Sequence, residues 1–327
     1  MKRYFYLVLL FGCFNALAQF APQVGQVGTT AIHKDSSIIK SWASGCLINR
    51  GWMDISDTSL GKTEVGDETY VPGPAGNGIV SLGDGGSAIV TFNKPIKDGP
   101  GWDFAVFENG FIDQTLKPGT AFLELAFVEV SSDGVNYFRF PATSFIDTIS
   151  QLESFEGIDA KQINNFGGKY LANYGTPFDL SELNQIPELN TQYITHVKII
   201  DVVGSITPKY AIRESNNRRV NDPWPTPFAS GGFDLDAVAV IHQRDEVGLI
   251  ENNIAIQSCI PNPIQASKIL SLSCVNYTEL VWYNLQGEII LQSTQSNELE
   301  APGKAGIYFV KMLTNEGALF NTKIMVW

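Results

Sequence analysis

Apolar and polar positions alternate with a period of two through most of the chain, in segments rich in β-branched and aromatic residues, and the three-to-four-residue spacing of an amphipathic helix is scarce. Seven segments read as strands before residue 243: 79–82, 88–92, 102–107, 122–130, 137–140, 193–203 and 233–241. Turn signals separate them, among them Gly83-Asp84-Gly85-Gly86, Asp98-Gly99-Pro100-Gly101 and Ser132-Asp133-Gly134. The first of these lies between two strands and opens no helix whose N-terminus would hold a phosphate, so it reads as a tight turn. The pattern predicts an all-β fold, a jelly-roll-like antiparallel β-sandwich. Residues 150–189 break the alternation and read as a long excursion with at most short helices, the kind of loop that carries binding sites.

After a polar connector from Gln243 to Gln257 the expected strands are short and evenly spaced, at 268–272, 280–284, 288–292, 307–313 and 319–327. Hairpin turns fit Gln286-Gly287 and Asn315-Glu316-Gly317. This makes a second, small Ig-like β-sandwich with little room for a pocket. The expected layout is a first domain over 19–243, a linker over 244–256 and a second domain over 257–327.

The beginning of the chain sets the compartment. Lys2 and Arg3 precede an apolar stretch, Tyr6 to Phe14, and Ala16-Leu17-Ala18 is a small-x-small cleavage signal, so residues 1–18 read as a signal peptide, too short to span a bilayer. A rival reading takes Leu10-Phe11-Gly12-Cys13 as a lipoprotein box with Cys13 lipidated, although Phe11 fits it poorly. Export is expected either way.

The distal segment carries a resemblance. Pro261-Asn262-Pro263, "VWYNLQGEIIL" from Val281, "GIYFVKM" from Gly306 and the closing "KIMVW" are similar, in order and spacing, to a type IX secretion sorting domain of the Bacteroidota. The resemblance implies the type IX secretion machinery as a partner, passage across the outer membrane, and release or attachment at the cell surface. It makes the second domain an address and leaves other functions to residues 19–243.

Composition narrows the choices. Without Lys2 and Arg3, 20 basic residues face 34 acidic ones. Such a surface repels phosphate backbones, so nucleic acid is not an expected partner. Cys46, Cys259 and Cys274 remain after cleavage, an odd number that does not suggest a disulfide framework, although the last two lie close enough in sequence to pair. His33, His196 and His242 stand singly, without metal-ligand spacing.

No Gly-x-Ser-x-Gly elbow, His-Glu-x-x-His pair or phosphate-binding Gly-x-x-x-x-Gly-Lys is present, and Cys46 has no local activating partner. A glycosidase pair remains open, from Glu108 with Glu124, Glu129 or Asp234, since that chemistry needs only two acids at a fixed separation. Two acidic motifs interrupt apolar strands. In Trp102-Asp103-Phe104-Ala105-Val106-Phe107-Glu108-Asn109, Phe104 and Val106 are expected in the core, with Glu108 on their side near the strand end. In Gly232-Phe233-Asp234-Leu235-Asp236, the two acids are expected on one face. Neighbouring carboxylates are costly without a cation or donors between them, and calcium takes six to eight oxygen ligands in flexible geometry. The candidate calcium ligands are therefore Asp103, Glu108, Asn109, Asp234 and Asp236. Solvent exposure and turn or strand-end hydrogen bonds are the alternatives.

The loop "NDPWPTPFASGGF", from Asn221, holds Trp224 and Phe228 between prolines, which fits either stacking on a flat ligand or capping the sandwich. Trp102 and Tyr174 join them as candidate ligand-binding residues, and Tyr70 and Tyr170 are further aromatics that would suit the same end. The run from Val80 to Phe111, with "AFVEVSSDGVNYFRF", "YGTPFDLSEL" and "PWPTPFASGGFDLDAVAVI", resembles a group of exported bacterial surface proteins. That resemblance implies a cell-surface β-sandwich and nutrient capture at the outer membrane, with a glycan or cobalamin as ligand and an uptake receptor as partner. The expected function is a secreted or surface-held binding protein; a glycan-active hydrolase or a structural adhesion protein are the alternatives.

Overall fold

A computed structural model describes residues 20–244, 260–272, 277–314 and 319–327. The leader, Cys13, Cys259, Cys274 and all of the expected linker except Arg244 lie outside the described residues. The chain divides into two compact units, Met1–Arg244 and Asp245–Trp327. Both are all-β: only 3-10 turns supplement the strands, and no helix among the described residues is long and apolar enough to cross a membrane.

The first unit is a β-sandwich of two five-stranded antiparallel sheets. One runs Ile32–His33, Tyr174–Phe178, Phe104–Phe107, Ala237–Val240, Ser41–Trp42. The other runs Gly45–Asn49, Ser87–Ile96, Ile194–Asp201, Ala126–Ser131, Phe138–Arg139. Alternation puts Phe104, Val106, Phe178, Val238 and Val240 of the first sheet against Val90, Val128, Val130, Val197 and Ile199 of the second, and these form the central core. The Phe104–Phe107 strand lies between two strand neighbours and is buried on both faces. Its other side, Ala105 and Phe107, packs on Ile32, Ile39, Trp42 and Ala75. Double-sided burial explains why this strand reads as an unbroken apolar run. Outside the second sheet, Phe127 packs with Leu123, Leu125, Phe166 and Val220, with Ile200 against them, and this third cluster roots the long excursion.

Two expectations need correction. The excursion over 150–189 holds 3-10 turns at Ala160–Gln162 and Leu180–Leu183, but it also supplies Tyr174–Phe178, an internal strand of the first sheet. Gly175 and Pro177 hide that strand in the sequence. Pro177 is tolerated because Ile32–His33 pairs only as far as Gly175, so no ladder partner needs the missing N–H. The expected 233–241 strand is broken. Asp234–Leu235 pairs with Val80–Ser81, whereas Ala237–Val240 pairs with Phe104–Phe107. Phe233 and Leu235 share the central core with Val238 and Val240, so the alternation slips by one residue at Asp236.

In the second unit, Ile289–Ser293, Tyr277–Tyr283, Gly306–Thr314 and Leu319–Val326 form a four-stranded antiparallel sheet, and Ile269–Ser271 pairs with Glu298–Glu300. Its core is centred on Trp282, with Leu280, Tyr308, Val310, Met312 and Ile324. The short Glu298–Glu300 strand escapes sequence reading because two of its three residues are charged.

Candidate functional site

The strand Phe104–Phe107 delivers Glu108 and Asn109 to one end of the sandwich. Glu108 Oε2 accepts from the Gly110 N–H at 2.7 Å, while Glu108 Oε1, also buried, has no partner among the described residues. Asn109 Nδ2 donates to Asp234 Oδ2 at 3.0 Å, and the Ser81 hydroxyl donates to the other Asp234 oxygen. Glu124 enters from the segment before Ala126–Ser131. Gly168, at φ +79°, passes so close to the Glu124 carbonyl that an added Cβ would lie 1.9 Å from it. No described side chain or N–H donates to the Glu124 carboxylate.

Three more buried acids stand beneath. Asp222 Oδ2 accepts from Leu125 N–H at 2.9 Å, and its Oδ1 has no partner among the described residues. Asp201, which ends the Ile194–Asp201 strand, accepts from Phe233 N–H at 2.8 Å and Gly85 N–H at 3.0 Å. Asp84, in the turn Gly83–Gly86, accepts from Ile55 N–H at 2.8 Å and from Trp224 Nε1 at 3.2 Å. That turn is as tight as expected, and it also feeds the acid cluster.

Burial is the first cause of the unusual acidity here. It pushes Glu108 well above the ordinary carboxylate range, and the charges of Asp234 and Asp222 add to the effect. Glu124 rises for the same reasons, with Asp234 and Glu108 the leading charges. Asp201 and Asp222 rise similarly, and Asp84 and Asp234 are each pushed up to about 6. The Arg50 charge opposes this rise at Asp234.

Above the acids opens a cavity of about 220 Å³ whose lining includes Asn109, Glu124, Asp234 and Thr226. Its rim is a row of phenylalanines: Phe111–Phe122 at 5.0 Å, Phe122–Phe155 at 5.8 Å and Phe155–Phe228 at 5.6 Å between ring centroids. Phe111, Phe155 and Phe228 are exposed although a polar alternative would cost nothing in water. A larger cavity of about 560 Å³ is lined by polar and mixed-charge residues such as Lys117, Asp147 and Lys161, and contains none of the buried acids. The smaller one is the better candidate because apolar faces and oxygen acceptors converge in it.

The five expected calcium ligands occupy three separate places. Asn109 and Asp234 line this pocket, and Glu108 is buried next to them, where the Asp234 charge acts on it. Asp103 stands at the opposite end of the strand, about 16 Å away at the rise of an extended chain. It accepts from Leu180 N–H at 2.7 Å, Gly99 N–H at 2.8 Å and His242 Nδ1 at 2.9 Å. With Asp98 and Asp179 it forms the only group of three such side chains, among the described residues, whose ligand atoms lie within 4.8 Å of one another. Protein donors already serve that group: Asn184 Nδ2 reaches Asp98, and Asp179 accepts from Ser181 N–H. Asp236 is turned elsewhere by the slip in alternation, and both of its oxygens accept from Gly76 N–H, at 2.8 and 3.0 Å.

The four expected ligand-binding aromatics are also dispersed. Phe228 lines the acid pocket. Trp224 is half-buried between Asp84 and Tyr210, Tyr174 packs edge-on against His33, and Trp102 sits beside Asp103 at the far end of the strand. Tyr170 is buried, bonded to Thr30. Of the proposed glycosidase partners, Glu129 is engaged by Arg139 at 2.8 Å on the surface, and Glu124 and Asp234 line the pocket. Sequence reading overlooked Asp84, Asp201 and Asp222, and the row Phe111, Phe122 and Phe155. Asp201 carries the signal that marked Glu108, an acid at the end of an apolar strand.

No family model matches the sequence, and no curated protein matches it. Among solved structures, a β-1,2-glucanase from Parabacteroides distasonis aligns at 8% identity over 88% of this chain and 38% of its own, with a TM-score of 0.24. A biofilm-associated protein BSP domain aligns at 10% identity over 88% of this chain and 52% of its own, with a TM-score of 0.16. The chain thus spans about two fifths and one half of those proteins. Likeness at this level decides nothing about function.

Proposed function

We propose that the first unit is an extracellular glycan-capture module held by a calcium ion, carried to the cell surface by a type IX sorting domain at residues 257–327. The observation that supports this reading is the junction of a phenylalanine row with a carboxylate and amide floor in one pocket. Aromatic faces stack on the C–H faces of a sugar ring, and Asn109, Glu124 and Asp234 offer acceptors and a donor to its hydroxyls. A cavity of about 220 Å³ lies below the usual range of about 300–1,000 Å³ for small-molecule sites, so it suits one ring of a longer ligand. A whole corrinoid would have to rest on the rim. Capture for an outer-membrane uptake receptor is the role that fits a binding surface of this kind.

The unpartnered oxygens buried beneath the floor support a cation such as calcium as their counter-charge. Glu108 Oε1 and Asp222 Oδ1 are buried and unpartnered, and a carboxylate left so in a protein interior is destabilising by several kcal/mol unless an ion or a proton compensates it. No three of Glu108, Glu124, Asp222 and Asp234 bring ligand atoms within 4.8 Å of one another, so these acids would have to close around the ion, which would then neutralise their charge and fix the pocket floor.

Binding of a glycan panel by the full chain, with calcium and after chelation, tests both parts. At a thousandfold excess over its Kd, calcium would add about 4 kcal/mol, or roughly 8–16 °C in Tm for a unit of this size. Glu108→Gln should abolish that shift, and Phe228→Ala should weaken glycan binding at least tenfold. A calcium-independent Tm sinks the cation, and unchanged affinity in Phe228→Ala sinks the pocket. Hydrolysis by two of the pocket acids is the competing reading, since retaining and inverting glycosidases need only a carboxyl pair. Turnover that Glu124→Gln eliminates would establish it in place of capture.

A further inference from the structure

On another face of the first unit, three arginines of an otherwise acidic chain converge on one cavity. Arg213, Arg218 and Arg219 line a space of about 340 Å³ together with Asn217, Ser144, Ile146 and Thr148. They come from a tight loop whose ends are bridged at Arg213 and Arg219. The loop is rigidly built: Glu214 N–H donates to Arg218 O at 3.0 Å, Val220 N–H to Ile212 O at 2.9 Å and Ser215 N–H to Ala142 O at 3.2 Å. The Glu214 carboxylate is buried inside the loop, where it accepts from the N–H groups of Asn216 and Arg218 at 3.1 and 3.0 Å.

Each guanidinium is anchored through one hydrogen bond and keeps most of its donors. Arg213 Nη1 donates to Asn217 O at 2.6 Å, Arg219 Nη1 to Ile206 O at 2.8 Å, and Arg218 Nε to Glu214 at 3.2 Å. The Arg218 guanidinium also lies 4.7 Å from the Phe145 ring centroid, and Phe145 stacks on Phe20 at 5.2 Å. A guanidinium carries five N–H donors in a planar fork, so the cavity is supplied with donors and with almost no acceptor of opposite charge. Glu214 is the one carboxylate on this loop, and it is committed to Arg218 and to backbone N–H groups.

Three like charges gathered in one concavity repel one another, which is favourable only when solvent or an anion lies among them. The fork geometry selects the anion, because it matches the paired oxygens of a carboxylate, sulfate or phosphate group. The rest of the chain restricts it further. With 34 acidic residues against 22 basic ones, a densely charged polyanion is repelled from the surrounding surface, whereas one oxyanion on a neutral ligand is not.

We infer that the Arg213–Arg218–Arg219 cavity is a binding site for a single oxyanion group, a carboxylate or a sulfate or phosphate ester, on an otherwise uncharged ligand. It shares no lining residue with the phenylalanine-rimmed pocket, so it stands or falls separately from the glycan reading.

Isothermal titration of the full chain at low ionic strength, with inorganic sulfate, glucuronate and glucose as probes, tests the assignment. Sulfate and glucuronate are expected to bind in the millimolar range and to compete, with glucose showing no heat at this site. The double variant Arg213→Gln/Arg219→Gln, which alters one exposed and one half-buried side chain, should retain its circular dichroism and lose at least tenfold in affinity for both anions. Phe228→Ala should leave them unchanged. Absence of sulfate and glucuronate binding, or undiminished binding by the double variant, overturns the site. If the double variant fails to fold, Arg213→Gln alone, which removes the most exposed of the three, provides the same readout.

Discussion

Phe104→Ala tests the placement of the strand that carries the candidate site. Phe104 is wholly buried between the two sheets, stacked on Phe178 at 5.2 Å and edge-on to Phe140 at 5.8 Å. Truncation removes the transfer free energy of a benzyl group and leaves a void that two rigid sheets cannot close, which costs about 3–5 kcal/mol for Phe→Ala in other cores. Loss of two ring pairs, at about 0.5–1.5 kcal/mol each, places this site near the top of that range. A loss of about 4–5 kcal/mol is a large part of the 5–15 kcal/mol that typically holds a domain together. Guanidinium unfolding followed by tryptophan fluorescence draws four of its six reporters, Trp42, Trp52, Trp102 and Trp224, from the first unit, and the transition of the second unit, carried by Trp282 and Trp327, serves as the internal control. The midpoint should fall with little change in slope. A loss below about 1 kcal/mol would mean that Phe104 does not face the inter-sheet core, and would withdraw the assignment of Glu108 to the end of that strand.

Three further outcomes follow from the same geometry. Burial pushes Asp103 up from 3.8 to about 6; because the folded value is the higher one, its contribution is fully present below about pH 4 and is lost as pH rises through 6, by at most about 3 kcal/mol. Urea titrations at pH 4 and pH 7 should therefore show wild type losing ground to Asp103→Asn as pH rises, and the opposite trend would refute the burial argument. Trp224→Phe removes the N–H that reaches Asp84 and should lower first-unit stability by about 1 kcal/mol while leaving glycan affinity unchanged, since this ring is not in the pocket. Gly168→Ala combines positive φ with a Cβ 1.9 Å from the Glu124 carbonyl, so its thermal unfolding should show a loss well above 1 kcal/mol.

Local chemistry made the architecture legible. Alternation in Ala88–Phe92 or Tyr193–Val203 announces strands because successive side chains must point to opposite faces, and that rule acts within a few residues. It also identified Glu108 and Asp234 as acids misplaced among apolar neighbours; Asp234 lines the pocket and Glu108 is buried beside it. What the sequence could not reveal depends on partners distant along the chain. Tyr174–Phe178 becomes an internal strand because Phe104–Phe107 and Ile32–His33 accept it, despite its glycine and proline. Asp234 and Asp236 part because two different strands, Val80–Ser81 and Phe104–Phe107, pull the chain into different registers. Asp103 and Glu108 look like neighbours in the sequence, but an extended chain carries them to opposite ends of the sandwich. Glu124, Asp201 and Asp222, separated by 98 positions, meet in one interior, and Phe111, Phe122, Phe155 and Phe228 meet in one row. The sequence determined which segments extend and which acids are out of place; only the folding of two sheets onto each other decided which of those acids share a site, because proximity there is set by packing between strands and not by spacing along one.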